Sequence, residues 1–166
     1  IDGINYIFSD PYYTAEVAIV VSGDYFGHLI IPSSVTYQGR SIPVKIIDWS
    51  AFSGCSDLLS ISIPESVNFI GFYYYDMGLC YDYGVEFLSF EGCDKLTTIS
   101  IDSGNTWYSV IDNCIVSGDH LISMFKNGEI PNSITSLGRF SIFKRNGLSS
   151  ITIPNSVKNI FTQSYD

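Results

Sequence analysis

Residues 46–67 read IIDWSAFSGCSDLLSISIPESV, and much of the chain is a variation on that stretch. Residues 137–157, LGRFSIFKRNGLSSITIPNSV, follow it at an offset of ninety, with Ile47 on Leu137, Leu58 on Leu148, and Ile61 and Ile63 on Ile151 and Ile153. Residues 85–101, VEFLSFEGCDKLTTISI, follow it at an offset of thirty-eight, with Phe52 on Phe90, Cys55 on Cys93 and Leu58 on Leu96. The pentapeptide closing the pattern begins at Ile31, Ile63, Ile130 and Ile153, spacings of 32, 67 and 23. The shortest is the bare period; the others are that period plus insertions.

A period of this size fits a coil that stacks on copies of itself. LLSISI, LTTISI and LSSITI alternate apolar with small polar residues, the pattern of a half-buried strand. Leu58, Ile61 and Ile63, then Leu96, Ile99 and Ile101, then Leu148, Ile151 and Ile153, form the inward rows. Phe52 and Phe90 fill the corner of the core, and Gly54 permits an unusual backbone angle there. In LLSISI and LSSITI the following proline stops the ladder, because it has no N–H. One coil cannot bury its own apolar edge, so the coils must stack into one core. The expected fold is a mainly β repeat solenoid with coils of ~23 residues and short helical or 3₁₀ turns.

The combined pattern, carried by Leu58–Gly71, Ala51–Cys55, Phe90–Leu96 and Leu148–Ile160, resembles the BspA-like leucine-rich repeat family of bacterial surface proteins. Residues 22–47 resemble the opening coil of such proteins, with an extra hairpin at 36–44. Ile101–Met124 resembles their long variant coil, in which a turn joins two short strands. The chain departs from the pattern at an insertion, residues 72–84, and at the third corner, where Lys144 and Arg145 replace Gly and Cys. Residues 1–30 are expected to form an N-terminal antiparallel β cap around the turn SDPYY, and residues 31–166 the repeat array, within one structural domain. The last strand is expected at Ile151–Ile153.

Composition excludes several classes. Hydrophobic residues make up 46% and charged ones 15%, which argues against disorder. The net charge of −9 leaves no basic stripe for nucleic acid. The charge is uneven: residues 126–166 carry five basic side chains (Lys126, Arg139, Lys144, Arg145, Lys158) against two acidic ones, and residues 1–125 are strongly acidic. Such polarity favours end-to-end contacts between copies, or simply two differently solvated ends. No apolar run nears the ~20 residues of a membrane span. Ile1–Asp10 has neither a basic start nor an apolar stretch, so the expectation is a mature or trimmed chain without its signal segment.

Candidate sites are few. The insertion FYYYDMGLCYDYG contains Tyr73, Tyr74, Tyr75, Tyr81 and Tyr83. Tyrosine offers contact area at low entropic cost, and Asp76 and Asp82 beside it suit hydroxyl-rich ligands. Tyr73, Tyr74, Asp76, Tyr81, Asp82 and Tyr83 are therefore the candidate partner-binding residues, with core or edge packing as the plainer reading. His28 and His120 read as surface turn residues. The carboxylate pairs Glu91/Asp94 and Asp57/Glu65 are no better than chance for acid–base work. Asp102, Asn105, Asp112 and Asn113 offer oxygen ligands without the spacing of a calcium loop. The resemblance implies an inward, buried thiol at Cys55 and Cys93; a disulfide between them is the alternative, and Cys80 and Cys114 lie outside the register.

No catalytic constellation, cofactor or metal site emerges. The resemblance implies a non-catalytic, adhesion-type module of a secreted or cell-surface protein whose partner is a host or microbial protein. Glycan binding through the tyrosine-rich insertion is the alternative.

Overall fold

A computed structural model of the chain describes residues 1–8, 17–71, 89–126, 128–138, 141–142 and 150–161. Within them the protein is mainly β and contains no helix. The elements are short strands joined by tight turns, as expected of a chain in which apolar runs are brief.

At the N-terminus, β1 (Tyr6–Phe8) pairs antiparallel with β2 (Ala18–Val20). Strand β3 (Gly27–Ile30) belongs to a different sheet. Strands β4 (Ser34–Tyr37) and β5 (Arg40–Asp48) form the hairpin foreseen at 36–44. Its turn residues, Gln38 and Gly39, both take positive φ, the geometry that matches strand twist in a two-residue loop. Next come β6 (Leu58–Ile63) and β7 (Phe69–Gly71), then β8 (Thr98–Ile101).

Two parallel ladders organise these elements. In one, β3, β6 and β8 run side by side, with His28 opposite Ser60, Ser60 opposite Thr98, Ile30 opposite Ser62, and Ser62 opposite Ser100. These partners lie at offsets of 32 and 38, the spacings that the sequence alignment produces. In the other, β2, β5 and β7 run parallel. Between the ladders, Phe52 N–H donates to Ser89 O (2.9 Å) and Gly54 N–H to Glu91 O (2.7 Å), so the two AFSGC-type corners also stack.

The corners differ from expectation. They are chains of separate turns, with Ala51 N bonding Asp48 O, Cys55 N bonding Phe52 O and Leu58 N bonding Cys55 O, and not helical or 3₁₀ segments. Gly54 at φ +78° interrupts any helical run.

The C-terminal part holds β9 (Ser109–Ile111), β10 (Cys114–Ser117) and β11 (His120–Met124) as an antiparallel meander. Asp112 and Asn113, both at positive φ, make the first turn, a conformation that Asp and Asn tolerate best after Gly. Strand β12 (Ser136–Leu137) then pairs parallel to β11, and β13 (Asn159–Ile160) parallel to β12.

The main core runs through both ladders and contains Phe52, Leu58, Ile61, Ile63, Phe90, Leu96 and Ile99, with Ile101 partly buried against it. A line of rings threads it: Tyr25 to Phe52 (5.5 Å), Phe52 to Phe90 (5.3 Å) and Phe90 to Phe125 (5.1 Å). Those spacings approach the ~4.8 Å between neighbouring strands. A second cluster gathers Cys114, Val116, Leu121, Met124, Ile130, Ile134 and Leu137.

Ile151 and Ile153 correct the sequence reading. They lie in no strand and are 41% and 45% exposed. The segment that should neighbour them, residues 128–131, is not a strand either, so ITI has no ladder to join and no face to bury. Leu148 lies outside the described residues.

Candidate functional site

The outward face of the β3–β6–β8 sheet is the best-formed surface among the described residues. Alternation along the strands sends Leu58, Ile61, Ile63 and Ile99 inward and leaves two rows outside: His28–Ser60–Thr98 and Ile30–Ser62–Ser100. Four of these six residues are Ser or Thr. Small side chains keep the face low and its backbone approachable. Two large apolar residues stand out at its β3 side, Phe26 (77% exposed) and Ile30 (74%).

His28 Nδ1 lies 2.7 Å from Ser60 Oγ across the ladder. The sequence reading put His28 in a surface turn; the offset of 32 between pentapeptides was the signal that places Ser60 beside it. A Ser–His contact alone is not an acyl-transfer site, which needs a group to orient the histidine and donors for an oxyanion. Both residues here are solvent-facing, and among the described residues no carboxylate bonds His28.

Beside the C-terminal ends of β3, β6 and β8, the face opens into a cavity of about 350 Å3. Ser62 and Ser100 supply hydroxyls, Ile30 and Pro64 apolar walls, and Glu65 and Asp102 carboxylates. Asp102 Oδ1 accepts from Gly104 N (2.8 Å), closing the turn after β8. The other end of the face is charge-neutralised, since Lys95 Nζ sits 2.6 Å from Asp57 Oδ1. The hydrogen bond and charge of Asp57 raise the Lys95 pKa above its ordinary value.

Asp57 and Glu65, paired as carboxylates in the sequence reading, thus flank opposite ends of β6 and do not act together. Asn105 is committed to the fold: its amide donates to Pro64 O and Val67 O, and its oxygen accepts from Trp107 N and Tyr108 N. Asn113 likewise donates to Thr97 O and Lys126 O. The Asn105 oxygen, already accepting two N–H groups, has no spare lone pair for an ion. His120 stands 3.4 Å from Asp119, whose carboxyl is held below its ordinary pKa first by the Thr135 hydroxyl.

No disulfide joins Cys55, Cys93 and Cys114 to one another. Cys55 Sγ donates to Gly23 O (3.2 Å) and Cys93 Sγ to Phe52 O (3.0 Å), each bonding a carbonyl of the preceding corner. Burial pushes the Cys55 thiol pKa up. The candidate residues Tyr73, Tyr74, Asp76, Tyr81, Asp82 and Tyr83, with Cys80, lie outside the described residues.

Parallel ladders held at the offsets of a sequence repeat, with corners stacked by backbone bonds, define a repeat protein of leucine-rich type. The chain belongs to the BspA type leucine rich repeat family, whose pattern matches residues 26–78 and 85–166 in six copies. Among solved structures, a leucine-rich repeat protein from Bacteroides ovatus ATCC 8483 aligns with a TM-score of 0.53 at 24% identity, over 96% of this chain and 36% of that one. A leucine rich repeat protein from T. pallidum aligns with a TM-score of 0.47 at 22% identity, over 96% of this chain and 62% of that one. A leucine rich cell surface protein from Faecalibacterium prausnitzii A2-165 gives 0.48 at 15%, over 96% and 49%. The chain therefore spans about a third of the length of the Bacteroides ovatus structure, whose likeness shows the fold. No curated protein matches the chain. No helix among the described residues is long and apolar enough to cross a membrane.

Proposed function

We propose that this chain is a non-catalytic protein-interaction module, of adhesion type, from a secreted or cell-surface bacterial protein. Neighbouring strands within each of its two parallel ladders belong to successive turns of one solenoid with a period near 23 residues, and β1 with β2 caps the first turn. The registers at 32 and 38 support the solenoid, because only a repeated cross-section returns equivalent residues to one another's side. The surface location follows from the family, as the sequence resemblance implies.

The observation that carries the functional reading is the outward β3–β6–β8 face. It is extended, low and mixed in polarity, with exposed Phe26 and Ile30 at one side. Such a surface suits recognition of another protein. A glycan-binding reading rests on the five tyrosines of residues 72–84, a composition that stacks on sugar rings and bonds their hydroxyls.

The test is binding of the purified chain to immobilised extracellular-matrix proteins and a glycan array, beside an Ile30→Glu variant and a deletion of residues 72–84. Protein binding lost in Ile30→Glu and kept in the deletion supports the face. Sugar binding lost only in the deletion moves the site to the insertion. Absence of binding to either panel removes both readings.

A further inference from the structure

Strand β3 is an edge. Among the described residues it pairs with β6 on one side and with nothing on the other. Ile31 N–H donates to Ser62 O, so alternation turns Leu29 toward β6 and points the N–H and C=O of His28 and Ile30 away from the sheet. Those groups face the solvent at the point where Phe26 and Ile30 are most exposed. An edge of this kind is a template for another strand. Here it lacks the usual protections: β3 has no proline, no lysine and no inward-pointing charge.

Building on the interaction reading, we propose that this edge receives an extended segment of a partner protein that carries a lysine or arginine side chain. The segment adds a strand beside β3, its main chain bonding His28 and Ile30. A strand there lies ~4.8 Å from β3. Its basic side chain runs over Ile30 and Pro64 into the cavity and sets its cationic head toward Glu65, with Asp102 behind. The chemistry of the cavity selects that residue type. A long cation buries its aliphatic stem on apolar walls and keeps its head in polar surroundings. Ser62 and Ser100 accept hydrogen bonds from the head, and two carboxylates complement its charge. Among the described residues neither Glu65 nor Asp102 has a cationic partner of this chain. The acidic balance of the whole chain, −9, draws basic segments to it and disfavours acidic ones.

The experiment uses fluorescein-labelled heptapeptides of alternating Thr and Val with one central Lys, a counterpart with Glu in its place, and two N-methylated forms of the Lys peptide. One form is methylated at odd residues and the other at even ones. Fluorescence anisotropy is expected to show binding of the Lys peptide, none of the Glu peptide, and failure of one of the two methylated forms. Glu65→Gln should weaken the Lys peptide about two- to fivefold, the range of a solvent-exposed ion pair. Ile30→Lys should abolish binding while leaving the circular dichroism and melting curve unchanged. Equal binding of the Lys and Glu peptides overturns the proposal, as does equal binding of both methylated forms, or no binding of any peptide. Concentration-dependent sedimentation that Ile30→Lys removes also overturns it, by placing a second copy on the edge. If the matrix-protein panel still binds while every peptide fails, the interaction reading stands and the edge assignment falls.

Discussion

Phe52 has no exposed surface, with Tyr25 on one side of its ring and Phe90 on the other. It belongs to an edge-on contact with Tyr25 and a stacked one with Phe90, so truncation removes both and leaves a cavity that rigid neighbouring strands cannot close. Phe52→Ala is expected to cost about 3–5 kcal/mol, measured by urea denaturation. Tyr6 is the opposite case. Its hydroxyl is buried without a partner, and burial, then the neighbouring Tyr25 and Asp2, push its pKa up to about 12. The fold favours the protonated phenol. That contribution is present below the ordinary value of 10 and is lost as pH rises toward about 12. Tyr6→Phe, which removes an unpaired buried hydroxyl, should therefore stabilise at pH 7 by about 1 kcal/mol and flatten the alkaline limb of the stability curve. An alkaline limb unchanged by Tyr6→Phe would refute the assignment.

The corners are the elements that repeat most faithfully, and two glycines separate their requirements. Gly54 and Gly92 take nearly the same backbone angle, φ +78° and +75°. A side chain at Gly54 would meet open space, whereas a Cβ at Gly92 would sit 3.2 Å from the Gly54 Cα. Gly54→Ala should cost about 1–2 kcal/mol, the penalty of the left-handed conformation. Gly92→Ala should cost more, because the atom that must yield is backbone. Equal costs in thermal melts would mean that the corners do not stack closely. At this scale the sequence was informative where identical residues recur. The offsets of 32 and 38 fixed the register of β3, β6 and β8 and the burial of Phe52 and Phe90. They missed Tyr25 and Phe125, whose segments lack the Gly-Cys corner and so gave no alignment. His28 was legible only as one partner of a ladder: read along the chain it sits in a turn, read across the repeat it faces Ser60. That β3 has no second neighbour among the described residues was not legible at all, since a sequence records which strands can pair and not which side stays unpaired.

Across the whole molecule, packing is not uniform. The main core links β1 through β8 and reaches Ile115, Ile122 and Phe125, while Leu121, Met124, Ile134 and Leu137 form the separate C-terminal cluster. Strands β12 and β13 have two residues each, and both residues of β13 are exposed. That explains why alternation at Ile151–Ile153 misled: a strand pattern is realised only where a neighbouring ladder offers hydrogen bonds and an apolar face. In a repeat array each turn is stabilised chiefly by its neighbours, so a thinly contacted end opens before the middle. Native-state hydrogen exchange should therefore find amides of β12 and β13 exchanging through local opening, while those of Leu58–Ile63 exchange only with global unfolding. Leu137 is fully buried in the smaller cluster, so Leu137→Ala should cost about 2–5 kcal/mol in the stability of that unit. The variant should speed exchange in β11 and β12 and leave β6 protected. If β6 loses protection by the same factor, the two clusters unfold as one unit, and the backbone bonds of the meander carry more coupling than its side-chain packing does.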